Sequence, residues 1–169
     1  EKGGARAAAA KAYEAYLNGL GAHSRNLPRK RLHSKAAMSA LNAGLREEAG
    51  REARAALDEK PQPFNFFEMG DDHHDPHLVL GRLALDSGNI EGAAQELLKA
   101  SDSKAGASSI YNKPDMSLAQ DLLAKGLKRE VQDYLRGLEK LWKQGRKEIA
   151  AWLSDIQAGG IPDFSAKRN

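Results

Sequence analysis

An all-α fold of stacked helical hairpins is what this sequence predicts, on three observations. Alanine and leucine supply much of a 41% apolar fraction while aromatic residues make up only 6%, a mix that favours helices packed through small side chains over a β-sandwich. Three glycines, Gly44, Gly88 and Gly126, each interrupt a stretch of strong helix formers. Around each of them the residues at matching offsets agree in size.

Taken in chain order, the first element is a helix over about 5–20, "ARAAAAKAYEAYLNGL", with Tyr13, Tyr16, Leu17 and Leu20 on one stripe and Gly19 and Gly21 at its end. "AHSRNLPRKRLHS" reads as a loop, because Pro28 disfavours helix at Leu27. A pair of helices follows over 33–57, hinged at Gly44. Pro61, Pro63, Gly70 and Pro76 mark "DEKPQPFNFFEMGDDHHDPH" as an irregular connector. A second pair spans 76–100 and a third 116–143, separated by the polar stretch "SDSKAGASSIYNKPD". A capping helix over about 146–157 stops at Gly159-Gly160, with Ile161 and Phe164 expected to fold back on it. All 169 residues are expected to form one helical-repeat domain.

The register of the repeat is steric. Seven residues before the three hinges lie Ala37, Gly81 and Ala119; four before lie Ala40, Ala84 and Leu122. Five after lie Ala49, Ala93 and Val131, and nine after lie Ala53, Leu97 and Leu135. A tight turn between antiparallel helices needs a residue tolerant of positive φ, hence glycine. Small residues are needed where the backbones approach, here Gly81 against the region of Ala93. One hairpin cannot bury its apolar face alone, so stacking is required.

The stretch "HLVLGRLALDSGNIEGAAQELLKA" resembles a tetratricopeptide repeat in Leu80, Gly81, Gly88, Ala93 and Ala100, with Ala84 and Leu97 in place of the usual aromatics. The windows around Gly44 and Gly126 fit more loosely. The C-terminal half, from "NKPDMSLAQDLL" to "GGIPDF", is also similar to a family of poorly characterised bacterial repeat-containing proteins with no established catalytic activity. The resemblance implies a right-handed superhelix of antiparallel pairs with flanking capping helices. It also implies a non-catalytic scaffold that binds protein or peptide on its concave face. The groove positions it implies include Arg31, Met38, Asn42, Leu78, Arg82, Lys113, Met116 and Gln120. Their cations would suit an acidic segment or a C-terminal carboxylate.

Two other chemistries compete. "GDDHHDPH" offers His73, His74 and His77 among three carboxylates, a donor set for a divalent metal and, beyond that, for a metal-dependent hydrolase. The bland alternative has Asp75 capping a helix that begins at Pro76, and His77 in a packing role. Arg25, Arg29, Lys30 and Arg31 form a basic run that suits phosphate or nucleic acid, but no aromatic interleaves it for base stacking. Phe64, Phe66 and Phe67 are expected to anchor their connector in the core or to rim a ligand. No GxSxG, Walker or Rossmann pattern occurs, so no cofactor is expected apart from that metal. With no cysteine there can be no disulfide or thiolate site. A net charge of +3 is too small to argue for nucleic acid by itself. No apolar run approaches the roughly 18 residues of a membrane span. A soluble, cytoplasmic protein is the expectation, with an upstream segment either removed or simply not included, since the chain opens on "EKGGARAAAA" without methionine.

Overall fold

The structure, a computed structural model, describes residues 2–21, 28–60, 71–102, 110 and 112–165. Every regular element among them is helical: α1 (Lys2–Gly21), α2 (Arg29–Ala43), α3 (Arg46–Asp58), α4 (Asp71–Asp86), α5 (Ile90–Ala100), α6 (Ser117–Ala124), α7 (Lys128–Leu141) and α8 (Arg146–Gln157), with a 3-10 turn over Lys143–Gly145. No described helix is long and apolar enough to cross a membrane.

The three hinges are the same structure. Gly44, Gly88 and Gly126 have φ of 83°, 84° and 91°, a left-handed conformation that costs an L side chain about 1–2 kcal/mol. At each, the N–H of the following residue returns to the carbonyl four before the glycine: Leu45 to Ala40 at 2.9 Å, Asn89 to Ala84 at 2.9 Å and Leu127 to Leu122 at 3.1 Å. This closes the first helix of each pair with its last carbonyls satisfied. Gly160 repeats the bond to Asp155 at the end of α8. The small residue before the hinge acts as expected, for a Cβ on Gly81 would lie 3.3 Å from the Ala93 carbonyl and 2.5 Å from Leu118 Cδ2.

The hairpins lie side by side, with α4 packed on both α2 and α3, α6 on α4 and α5, and α7 on α5. α1 covers α2 at one end and α8 covers α7 at the other. The core has two parts of different character. Towards the N-terminus it is built from Tyr13, Val79 and the alanines 36, 37, 40, 49 and 53. Towards the C-terminus it is built from large side chains, among them Leu97, Ile110, Tyr134, Leu138 and Trp152. Trp152 stacks on Trp142 and meets Phe164 edge-on at 5.1 Å.

Three expectations change. α2 begins at Arg29, so Arg29, Lys30 and Arg31 are its first turn and not a loop. The restriction Pro28 imposes falls on the residue before it, while its own fixed φ suits a helix start, and the Leu32 N–H closes on the Pro28 carbonyl. α4 begins at Asp71 and carries Pro76 in its interior. Pro76 cannot donate to the Asp72 carbonyl, and that loss is offset by side-chain bonds from Asp72, His74 and Asp75. Asp75 is therefore not the cap of a helix starting at Pro76. In the tail Phe164 is buried as expected, but Ile161 is 64% exposed. Phe64, Phe66 and Phe67 lie outside the described residues.

Candidate functional site

The first helices α2, α4 and α6 bring most of the expected groove positions to two adjoining clefts. Met38, Leu41, Leu78 and Arg82 line the first together with Leu118. It admits only about 20 Å³, room for roughly one water. Lys113, Met116 and Gln120 line the second with Pro114 and Phe164, and it opens to about 380 Å³. Asp115 and Ser117 border both. Asn42 is exposed and lines neither. Met116 is 5% exposed, and its sulfur faces the Tyr134 hydroxyl at 3.9 Å, so it belongs as much to the core as to the cleft.

The expected positive groove is largely neutralised. Each hairpin presents cations to the carboxylates of the next. Arg31 reaches Asp72 at 3.3 Å, Lys35 reaches Asp75 at 3.2 Å and Arg46 reaches Asp86 at 2.6 Å. Arg82 reaches both Asp121 and, at 3.0 Å, the Ser117 hydroxyl. Arg29 is likewise held by Glu59 at 3.0 Å. The basic run is thus committed within the fold at Arg29 and Arg31, while Arg25 lies outside the described residues. Lys113 differs: it is exposed, pairs with no carboxylate among the described residues, and its Nζ stands 5.6 Å from the centre of the Trp152 ring.

The three imidazoles of the "GDDHHDPH" segment do not converge. His74 is 1% exposed, with Nδ1 3.3 Å from Asp75 and Nε2 2.9 Å from the Tyr134 hydroxyl. A carboxylate only accepts, so Nδ1 carries the proton and Tyr134 donates to Nε2. His77 points its Nδ1 at Glu96, 2.7 Å away. His73 meets His77 edge-on at 4.7 Å, and its own Nε2 is buried without a partner. Among the described residues no group of three or more His, Asp or Glu side chains is placed to hold a metal. His73 and His77, four apart on α4, share one face and meet, while His74, one position on, is turned away to Tyr134.

Carboxylate, imidazole and hydroxyl in line is an order found in hydrolytic triads, but here it braces the interior. Tyr134 is fully buried, and burial together with the charges of Asp115 and Asp75 pushes its hydroxyl pKa far up. Burial alone would raise Asp75, yet His74 and Lys35 outweigh it and hold the carboxyl below its usual range. His73 is driven down to about 4 by burial, then by His77 and Lys30. Burial also lowers His77, against the pull of Glu96.

One repeated device escaped the sequence comparison. His33 Nδ1 lies 2.7 Å from Glu52, as His77 Nδ1 lies from Glu96. Both histidines stand eleven residues before a hinge glycine and both glutamates eight after. Each pair ties the two helices of its hairpin together. In the third hairpin the same positions hold Asp115 and Tyr134, and Tyr134 bonds instead to His74 of the preceding hairpin. The glycine alignment contains this signal, but only at polar positions that an apolar comparison passes over.

No family model, no curated protein and no solved structure matches this chain.

Proposed function

We propose that the chain is a non-catalytic, tetratricopeptide-like scaffold that holds a peptide segment of a partner protein across α2, α4 and α6. The supporting observation is the identical bend at Gly44, Gly88 and Gly126, which sets three first helices side by side under one pair of adjoining clefts. The smaller cleft is too tight for a side chain, so the anchor sits in the larger one. There Pro114, Met116 and Phe164 give apolar contact, Gln120 can bond a peptide amide, and Lys113 supplies positive charge. A C-terminal carboxylate suits this arrangement better than an acidic run, because Asp115 stands on the same wall and opposes further negative charge.

The experiment is fluorescence anisotropy with two pools of short peptides of equal composition, one ending in a free carboxylate and one amidated. The free-carboxylate pool binds about tenfold more tightly, and Lys113→Glu removes that preference. Equal binding of the two pools, or a preference that survives Lys113→Glu, refutes this assignment of the groove.

A further inference from the structure

The repeat register exposes a second surface, on the outer side of the hairpins. Two, six and ten residues after the hinge, the first hairpin carries Arg46, Gly50 and Arg54, and the third carries Lys128, Gln132 and Arg136. These offsets form one stripe along the second helix of a pair, since residues four apart share a face. In both hairpins the two ends of the stripe are exposed cations, Arg46 and Arg54 in the first and Lys128 and Arg136 in the third, while the middle is the buried Gly50 or the half-buried Gln132. The central hairpin has Ile90, Ala94 and Leu98 at the same three positions. Ile90 and Leu98 are 38% and 37% exposed, two of the three large apolar side chains that stand open among the described residues. The exposed cations at the two ends of the stripe have therefore been replaced by exposed apolar side chains in the middle of the array only, with a buried Ala94 between them.

This stripe floors a cleft of about 480 Å³ between α5 and α7, with Leu127 on the opposite wall. That volume accommodates apolar side chains of a partner. The charged residues of its lining, Glu91 and Glu130, are both acidic. Neither meets a cation within salt-bridge distance among the described residues, whereas the carboxylates between hairpins are paired. We infer that the α5–α7 cleft docks an amphipathic partner segment whose apolar residues enter between Ile90, Leu98 and Leu127 and whose flanking Lys or Arg side chains meet Glu91 and Glu130. A second copy of this chain fits less well. A two-fold contact through the same patch would set Glu91 and Glu130 against their own duplicates, or close to them, with no cation in the lining to separate them. This surface is separate from the α2–α4–α6 clefts and does not depend on what they bind.

The test uses the full chain and two synthetic helical peptides with identical leucines at i, i+3, i+4 and i+7, one flanked by lysines and one by glutamates. Anisotropy at about 50 mM salt gives at least about tenfold tighter binding of the lysine peptide, and the difference shrinks at about 300 mM. Leu98→Arg, which installs the residue type of the sibling hairpins at an exposed position, lowers that binding at least about tenfold while the thermal midpoint holds. Glu91→Gln/Glu130→Gln keeps the apolar contact but brings the two peptides to within about threefold of each other. Equal binding of both peptides by the unaltered chain overturns the inference, as does binding that Leu98→Arg leaves intact. Sedimentation showing a dimer that Leu98→Arg dissociates assigns the patch to a second copy, and overturns it too.

Discussion

Replacing Tyr134 by phenylalanine isolates the polar strut between the second and third hairpins. The substitution removes one oxygen and leaves the ring, so no cavity of consequence opens. What changes is His74, whose Nε2 loses the hydroxyl 2.9 Å away and is left buried without a donor. Leaving one buried polar group unsatisfied costs about 1–3 kcal/mol. For a chain of this length each kcal/mol moves the thermal midpoint by roughly 2–4 °C, so a loss near 2 kcal/mol appears as a fall of about 4–8 °C. Thermal unfolding followed by far-ultraviolet circular dichroism reads it directly. The decisive variant is the double substitution His74→Leu/Tyr134→Phe, which removes both polar ends. Asp75 Oδ1 loses its Nδ1 partner, but Oδ2 still holds Lys35 at 3.2 Å and the carboxylate, 16% exposed, can take water in its place. The double variant is expected within about 1 kcal/mol of the parent, a coupling of about 1–2 kcal/mol. A single variant that costs under about 0.5 kcal/mol, or a double variant that costs the sum of its parts, refutes the strut.

Gly137→Ala places a Cβ 2.7 Å from the Ser101 carbonyl, a backbone atom that cannot turn aside, and should destabilise by about 1–3 kcal/mol in urea unfolding; an unchanged midpoint would contradict the α5–α7 approach. Gly126→Ala should cost about 1–2 kcal/mol through its φ of 91° alone, since a Cβ there meets nothing, and a neutral result would mean the hinge is not held left-handed. His73 binds its proton less readily folded, near 4, than at the usual 6.5, so the unfolded chain takes up the proton first as pH falls. Its stability contribution is full above 6.5 and is lost between 6.5 and about 4, by about 1–2 kcal/mol once solvent screening of a partly exposed ring is allowed for. His73→Gln should flatten that part of the pH–stability curve measured by denaturant titration, and an unaltered slope would remove His73 from the account. Native-state hydrogen exchange should show α1 and α2 opening before α7, because alanines bury far less apolar surface than the Leu, Tyr and Trp side chains around Trp152; uniform protection would contradict this.

The bends were legible because glycine at a left-handed turn leaves a mark that only glycine makes easily, and the sizes around it repeat. Gly81 was legible for the same reason, as a small residue at a crossing. The starts of α2 and α4 were not. A proline next to a polar run argues locally for a loop, and what extends each helix is distant: Asp72 and Asp75 are fixed by Arg31 and Lys35, 41 and 40 residues away. The expected site suffered in the same way. Its positions could be carried over from the resemblance, and Met38, Leu78, Arg82, Lys113, Met116 and Gln120 do line the clefts. Their charge state could not be, because whether Arg82 is free depends on Asp121 in the next hairpin. The directions of the three imidazoles were not legible for a geometric reason. Because Pro76 does not break α4, His73 and His77 share one face and meet, while His74 is turned to Tyr134.

The ion pairs between hairpins add up to more than stability. Those at the surface are worth about 0–1 kcal/mol each, so they do not hold the array together against chain entropy. They are all oriented one way, with Arg31, Lys35 and Arg46 on the first hairpin and Arg82 on the second, and each meets a carboxylate on the hairpin that follows. An alanine-lined contact between helices is smooth, and by itself tolerates sliding by a turn. Charges spaced about one repeat apart make such a slide bring unlike partners out of register, and His74–Tyr134 does the same with a buried bond that has one acceptable length. Polar contacts thus set the register, while the small side chains let the hairpins approach. This division of labour explains why the first-helix face keeps so little free charge. It also explains why the two acidic residues left uncompensated at the α5–α7 cleft stand out as a feature the stacking itself does not require.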